Sequence, residues 1–111
     1  MVTYEVTLDV DPAVAAAVER YMRATHIPEI LATGCFAEIR FERQADREGG
    51  GMLRFRTRYR AARRADLDRY LAQHQAHFRT DFLLHVPSGV TVTRAVWEAV
   101  EAWSLPEARM R

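Results

Sequence analysis

Along the first ten residues apolar and polar positions alternate: Val2, Tyr4, Val6, Leu8 and Val10 against Thr3, Glu5, Thr7 and Asp9. A period of two with β-branched residues predicts a strand with one buried face. Asp11-Pro12 predicts a helix start, with the aspartate as N-cap and the proline in the first turn. Val14, Ala17, Val18, Tyr21, Met22 and Thr25 then recur at helical spacing. Ile27-Pro28 is expected to interrupt this helix, because a residue before proline is disfavoured in the helical region. Glu29 to Thr33 reads as a further short turn, closed by Gly34 as a left-handed cap.

Alternation returns from Cys35 to Arg43, with Ala37, Ile39 and Phe41 on one side and Phe36, Glu38, Arg40 and Glu42 on the other. Gln44 to Gly51, ending in three glycines, predicts the loop of a hairpin. Leu53 to Arg60 is the returning strand, with an arginine at every second position. Arg63 to about His85 predicts one helix with Leu67, Leu71, Phe78 and Phe82 on its apolar stripe, and Pro87-Ser88-Gly89 a turn. Val90 to Trp97 is the last strand. The order β-α-β-β-α-β predicts a ferredoxin-like α+β fold: a four-stranded antiparallel sheet with two helices on one face. It fills one domain, residues 1–103, followed by a tail, 104–111.

Two helices cover one face only. Tyr4, Val6, Leu8, Ile39, Phe41, Leu53, Phe55 and Tyr59 are expected beneath them. The opposite face then collects Thr3, Glu5, Thr7, Phe36, Glu38, Arg40, Glu42, Arg54, Arg56, Arg58, Thr91 and Thr93. An antiparallel sheet can leave such a face in water. Alternatively, two copies meet through it and form a barrel with a polar interior, an interface that must bury about 1,600 Å² with its charges paired. The pattern fits both. An RNA-recognition module shares the element order, but it stacks bases on exposed aromatics. Here Phe55 and Tyr59 have core parity, and arginines are opposed by glutamates.

Composition narrows the classes. The 16 basic residues are all arginine and face 15 acids, for a net charge of +1, without the basic excess of a nucleic-acid binder. No apolar run approaches a membrane span, and the N-terminal residues do not read as a secretory signal. A single cysteine, Cys35, fits a reducing compartment. A cytoplasmic protein is expected, with no membrane or nucleic-acid partner.

The opening VTYEVTLDVDP, HIPEILATGCF (His26 to Phe36), LDRYLAQH (Leu67 to His74) and the late TRAVWE together resemble a bacterial domain-of-unknown-function family (DUF4286). The resemblance covers nearly the whole chain. It implies a ferredoxin-like subunit similar to the dimeric α/β-barrel superfamily, which includes cofactor-free monooxygenases, lactone isomerases and haem-degrading enzymes. A homodimer and no cofactor are therefore expected.

In proteins of that superfamily a histidine near the end of the first helix can line the cleft between helix and sheet. His26 is the candidate acid/base here, its ordinary pKa lying near neutrality. The competing reading is that its ring satisfies carbonyls freed by the helix break. If the barrel forms, some of Glu5, Arg40, Arg54, Arg56 and Arg58 line it, with Arg40 and Arg56 as clamps on an anionic ligand; the alternative is that these charges neutralise one another and set the dimer register. Tyr4, Tyr59 and Trp97 are large enough to form a pocket wall. His74, His77, Asp81 and His85 recur at helical spacing without a recognised metal motif, and no metal is assigned to them. The expected function is binding of a small anionic or aromatic metabolite, with acid/base chemistry at His26; the alternative is an accessory protein acting through a partner, with the Trp97–Trp103 end as a contact surface.

Overall fold

Val2–Val10 form β1, a central strand bonded on both sides. The computed structural model describes residues 1–45 and 49–106; residues 46–48 of the hairpin loop and 107–111 of the expected tail lie outside the described residues. β1 pairs antiparallel with β3 (Leu53–Ala61) and with β4 (Val90–Glu98), and β3 pairs with β2 (Glu38–Arg43). The sheet order β2-β3-β1-β4 and the helices between the strands make the architecture ferredoxin-like.

α1 (Pro12–Tyr21) begins as expected, with the Asp11 side chain accepting from the Ala13 N–H at 2.8 Å. The expected break at Ile27-Pro28 does not occur. Met22–His26 form one π-helical turn, in which the Ile27 N–H reaches the Met22 carbonyl, and α2 (Ile27–Leu31) carries straight on. Ile27 keeps helical angles, φ −66° and ψ −46°. The extra residue of the π turn re-aims the carbonyls ahead of the proline ring, so the chain remains helical through Pro28. Gly34 then ends the segment at φ +75°, as the sequence predicts.

Three further expectations are corrected. The helix expected over 63–85 is two, α3 (Arg64–Gln73) and α4 (Gln75–His85), separated at His74, where φ reaches −123°. Phe36 precedes β2 and is buried against Tyr59 and Tyr70, with ring centroids 5.2 and 4.9 Å away, so it belongs to the core. Leu53, at the outer end of β3, is 37% exposed.

The core lies in two clusters under the helices. One gathers Val2, Tyr4, Ile30, Phe36, Tyr59, Leu67, Tyr70 and Phe78. The other gathers Leu8, Val10, Val18, Met22, Phe55, Phe82 and Val86. Val6 touches both. The two ends of β1 thus have separate apolar covers, with a seam at its middle.

Candidate functional site

A cavity of about 230 Å³ opens at that seam. Its floor is the helix-facing side of the sheet: Tyr4, Val6 and Leu8 from β1, Tyr59 from β3, and Val92 and Arg94 from β4. Its walls are Met22 and His26 from the π turn, Tyr70 from α3, and Gln75, Phe78, Arg79, Phe82 and Leu83 from α4. The break at His74 starts α4 one residue later, and Gln75 then donates to the Tyr4 hydroxyl at 2.8 Å.

The π turn carries His26 to the cavity. Its ring lies 6.0 Å from Phe78 and 5.6 Å from Phe82, edge-on to both. Nδ1 is 3.4 Å from the Tyr21 hydroxyl, which donates to Asp81 Oδ2 at 2.7 Å. With its proton committed to Asp81, the Tyr21 oxygen can only accept, which selects the tautomer protonated at Nδ1. Nε2 keeps its lone pair, and no hydrogen bond among the described residues uses it. Burial pushes the imidazole down to about 4, against a smaller opposing pull from Asp81. The ring is therefore neutral at pH 7, and its chemistry is that of an acceptor.

Burial also holds the phenols of Tyr59 and Tyr70 well above the usual tyrosine range, although the Arg94 charge favours their ionised forms. Both remain O–H donors. His85 stacks on Tyr21 at 4.4 Å, and its Nδ1 lies 2.9 Å from the Asp81 carbonyl. His74 stacks on Tyr70 and His77 meets Phe78 edge-on. Among the described residues, no three potential ligands gather as a metal would need.

Tyr4, Tyr59 and His26 are thus brought together, while Glu5, Arg40, Arg54 and Arg56 are not part of this cavity. The register places those four on the opposite face of the sheet, so Arg40 and Arg56 cannot grip a ligand that touches His26. The three arginines sit instead in an ion-pair lattice. Arg54 binds Asp9 at 2.8 Å, Arg56 binds Glu42 at 3.0 Å, and Arg60 and Arg40 both hold Glu38, keeping its carboxyl below the usual range. Each exposed pair contributes only about 0.2–1 kcal/mol. Trp97 lies on this face too, 58% exposed. The expected alternative role for His26 also falls, since no helix break frees carbonyls beside it.

Arg94, Arg79, Gln75 and Tyr70 were not among the expected site residues. Arg94 was legible: it shares the parity of Val90 and Val92, and β4 sets it opposite Val6 on the helix-covered face. Gln75 and Arg79 depend on the break at His74, for which the sequence carries no proline or glycine.

The fold recurs in solved structures. A dimeric ferredoxin-like protein from an uncultured marine organism matches with a TM-score of 0.63 at 20% identity, over 92% of this chain and 97% of its own. An ethyl tert-butyl ether D (EthD) family protein from Bacillus halodurans matches at 0.65 and 13%, over 90% and 100%. SnoaB, a cofactor-independent oxygenase from Streptomyces nogalater, matches at 0.59 and 17%, over 96% and 97%. At these identities the likeness is one of fold. No curated protein matches the sequence. The model of the family described as Domain of unknown function (DUF4286) matches residues 1–100, and the chain belongs to that family.

Proposed function

We propose that the protein is one subunit of a homodimer that binds a small aromatic or anionic metabolite in the cavity between helices and sheet. The observation that carries this reading is the cavity itself: about 230 Å³, walled by aromatic rings, with few but convergent polar groups. A dry apolar cavity of about 150 Å³ admits benzene, so this one has room for a substituted ring. Any proton transfer centres on His26. A proton taken from the ligand would go to Nε2, while Nδ1–H stays on Tyr21, and Asp81 opposes the charge of the resulting imidazolium.

The test is thermal stability against a panel of aromatic metabolites. Ligand at a hundredfold excess over Kd stabilises by about 2.7 kcal/mol, a shift of about 10 °C for a domain of this size. Val92→Trp, which fills the cavity, should abolish the shift. A panel without hits, or hits indifferent to Val92→Trp, refutes the reading.

Dimerisation uses the ionic face. Glu5 and Arg58 lie opposite each other on β1 and β3, yet neither forms an ion pair among the described residues, and Arg58 Nε is buried without a partner. A second copy meeting this face about a two-fold axis offers both missing partners. The protomer is also extended, with a radius of gyration of 15.7 Å against about 13 Å for a compact chain of this length. Sedimentation equilibrium should give a dimer, Arg58→Glu a monomer, and Arg58→Glu with Glu5→Arg a dimer again. A monomeric native protein at micromolar concentration defeats this part. The accessory reading draws on Trp97, Val100 and Trp103, which are 58%, 99% and 83% exposed.

A further inference from the structure

The cavity's polar groups are almost all donors. Tyr59 and Tyr70 keep their phenolic protons, and Tyr4, accepting from Gln75, has its own proton left to give. Two guanidiniums join them: Arg94 from β4 and Arg79 from α4. Neither forms an ion pair among the described residues, although most arginines of the other sheet face are matched to an acid. Among the described residues, no aspartate or glutamate lines the cavity. A pocket with two unmatched positive charges, several hydroxyl donors and no carboxylate is built for a ligand that supplies acceptors and negative charge.

Position adds direction. Arg94 and Arg79 are exposed, so they stand at the cavity's mouth, whereas Tyr4, Tyr59, Met22 and Phe82 are buried around its interior. Resting on the reading of this cavity as a binding site, we infer that its ligand is an aromatic carboxylate, with its ring among the aromatic side chains and its carboxylate held at the mouth by Arg94, assisted by Arg79. The planar fork of a guanidinium matches a carboxylate through two parallel hydrogen bonds. The volume leaves room for one ring and a short acid-bearing chain. Arg94 is then a binding residue, and the ring it positions shares the cavity with His26.

The experiment uses two probes of the same shape, 3-(4-fluorophenyl)propanoate and its neutral carboxamide, followed by fluorine NMR on the full chain. The carboxylate should bind the native protein about tenfold more tightly, the increment of a charge-assisted contact. In Arg94→Met with Arg79→Met that preference should fall to about one, while the carboxamide binds as before, which also reports that the variant is folded. Arg94→Lys should restore part of the preference. Equal binding of both probes to the native protein, or a preference that survives the double substitution, overturns the carboxylate assignment and leaves the binding site standing. Failure of both probes to bind, or binding unaffected by Val92→Trp, removes the site and the assignment together.

Discussion

Replacing His26 by phenylalanine should make the protein more resistant to acid, and the size of the effect follows from burial. The imidazole sits in the folded chain at about 4, against about 6.5 when exposed in the unfolded chain. Between those values the unfolded state binds the extra proton, so stability falls as pH falls. The contribution of a neutral buried ring is thus intact above pH 6.5 and is lost progressively toward pH 4. Applying the linkage relation to these two values, the cost is well under 1 kcal/mol at pH 7 and about 2–3 kcal/mol at pH 4.5. That difference, about 2 kcal/mol, is a large share of the 5–15 kcal/mol typical of a domain. The groups facing the ring are Tyr21, Asp81 and His85, with Glu29 acting on Tyr21. They remain in the variant, so their own titrations largely cancel in the comparison. Urea unfolding at pH 7.0 and 4.5 reads the effect: His26→Phe should lose about 2 kcal/mol less than the native protein. Equal losses, or a His26 proton resonance titrating above pH 6, would refute the argument that burial dominates this site.

Thr57 is fully buried, and its hydroxyl meets no hydrogen-bond geometry among the described residues, although it lies near enough to the Tyr59 phenol to favour that group's ionised form; an unmet hydroxyl predicts that Thr57→Val stabilises by about 1 kcal/mol in urea unfolding, and a loss of that size would mean that Tyr59 satisfies it. Gly89 has φ +81°, and a Cβ there would lie 3.0 Å from Val14 Cγ2. Gly89→Ala should cost about 1–2 kcal/mol, more than Gly34→Ala, whose left-handed position opens on empty space; the reverse ranking by thermal melting defeats the contact argument. Asp11→Ala removes the α1 N-cap and should cost about 1 kcal/mol, while Asp11→Asn should retain most of it.

The strands were legible because their alternation is strict. Nothing in Val2–Val10 or Leu53–Ala61 competes with a period of two, and the register pairs residues of like parity throughout. The helices were less so where local rules met tertiary packing. Pro28 signals a break, yet a π turn absorbs it, and the continuous helix carries Ala15 and Val18 of α1 into one core cluster and Ile30 of α2 into the other. His74 carries no signal, yet the helix divides there, and Gln75 at the start of α4 donates to the Tyr4 hydroxyl. The site suffered from one wrong association. Parity alone places Glu5, Arg40, Arg54 and Arg56 on the face away from the helices, so they and His26 could not share a ligand; the arginine that can, Arg94, needed the parity of the last strand.

The sheet therefore separates two kinds of electrostatics. On the face away from the helices, charges of both signs alternate from strand to strand and neutralise one another at the surface, where each pair is weak and the array chiefly sets register. On the covered face the cavity is lined by two arginines at its mouth and by buried phenols, and no carboxylate among the described residues lines it. β1 links the two: Glu5, which forms no ion pair among the described residues, lies between Tyr4 and Val6, which floor the cavity. Fixing Glu5 against a second copy would fix the neighbouring backbone that carries the cavity's floor. Ligand affinity should then rise with protein concentration across the monomer–dimer transition in the native protein. In Arg58→Glu, held monomeric, it should stay constant, and affinity independent of assembly in both would show that the two faces act separately.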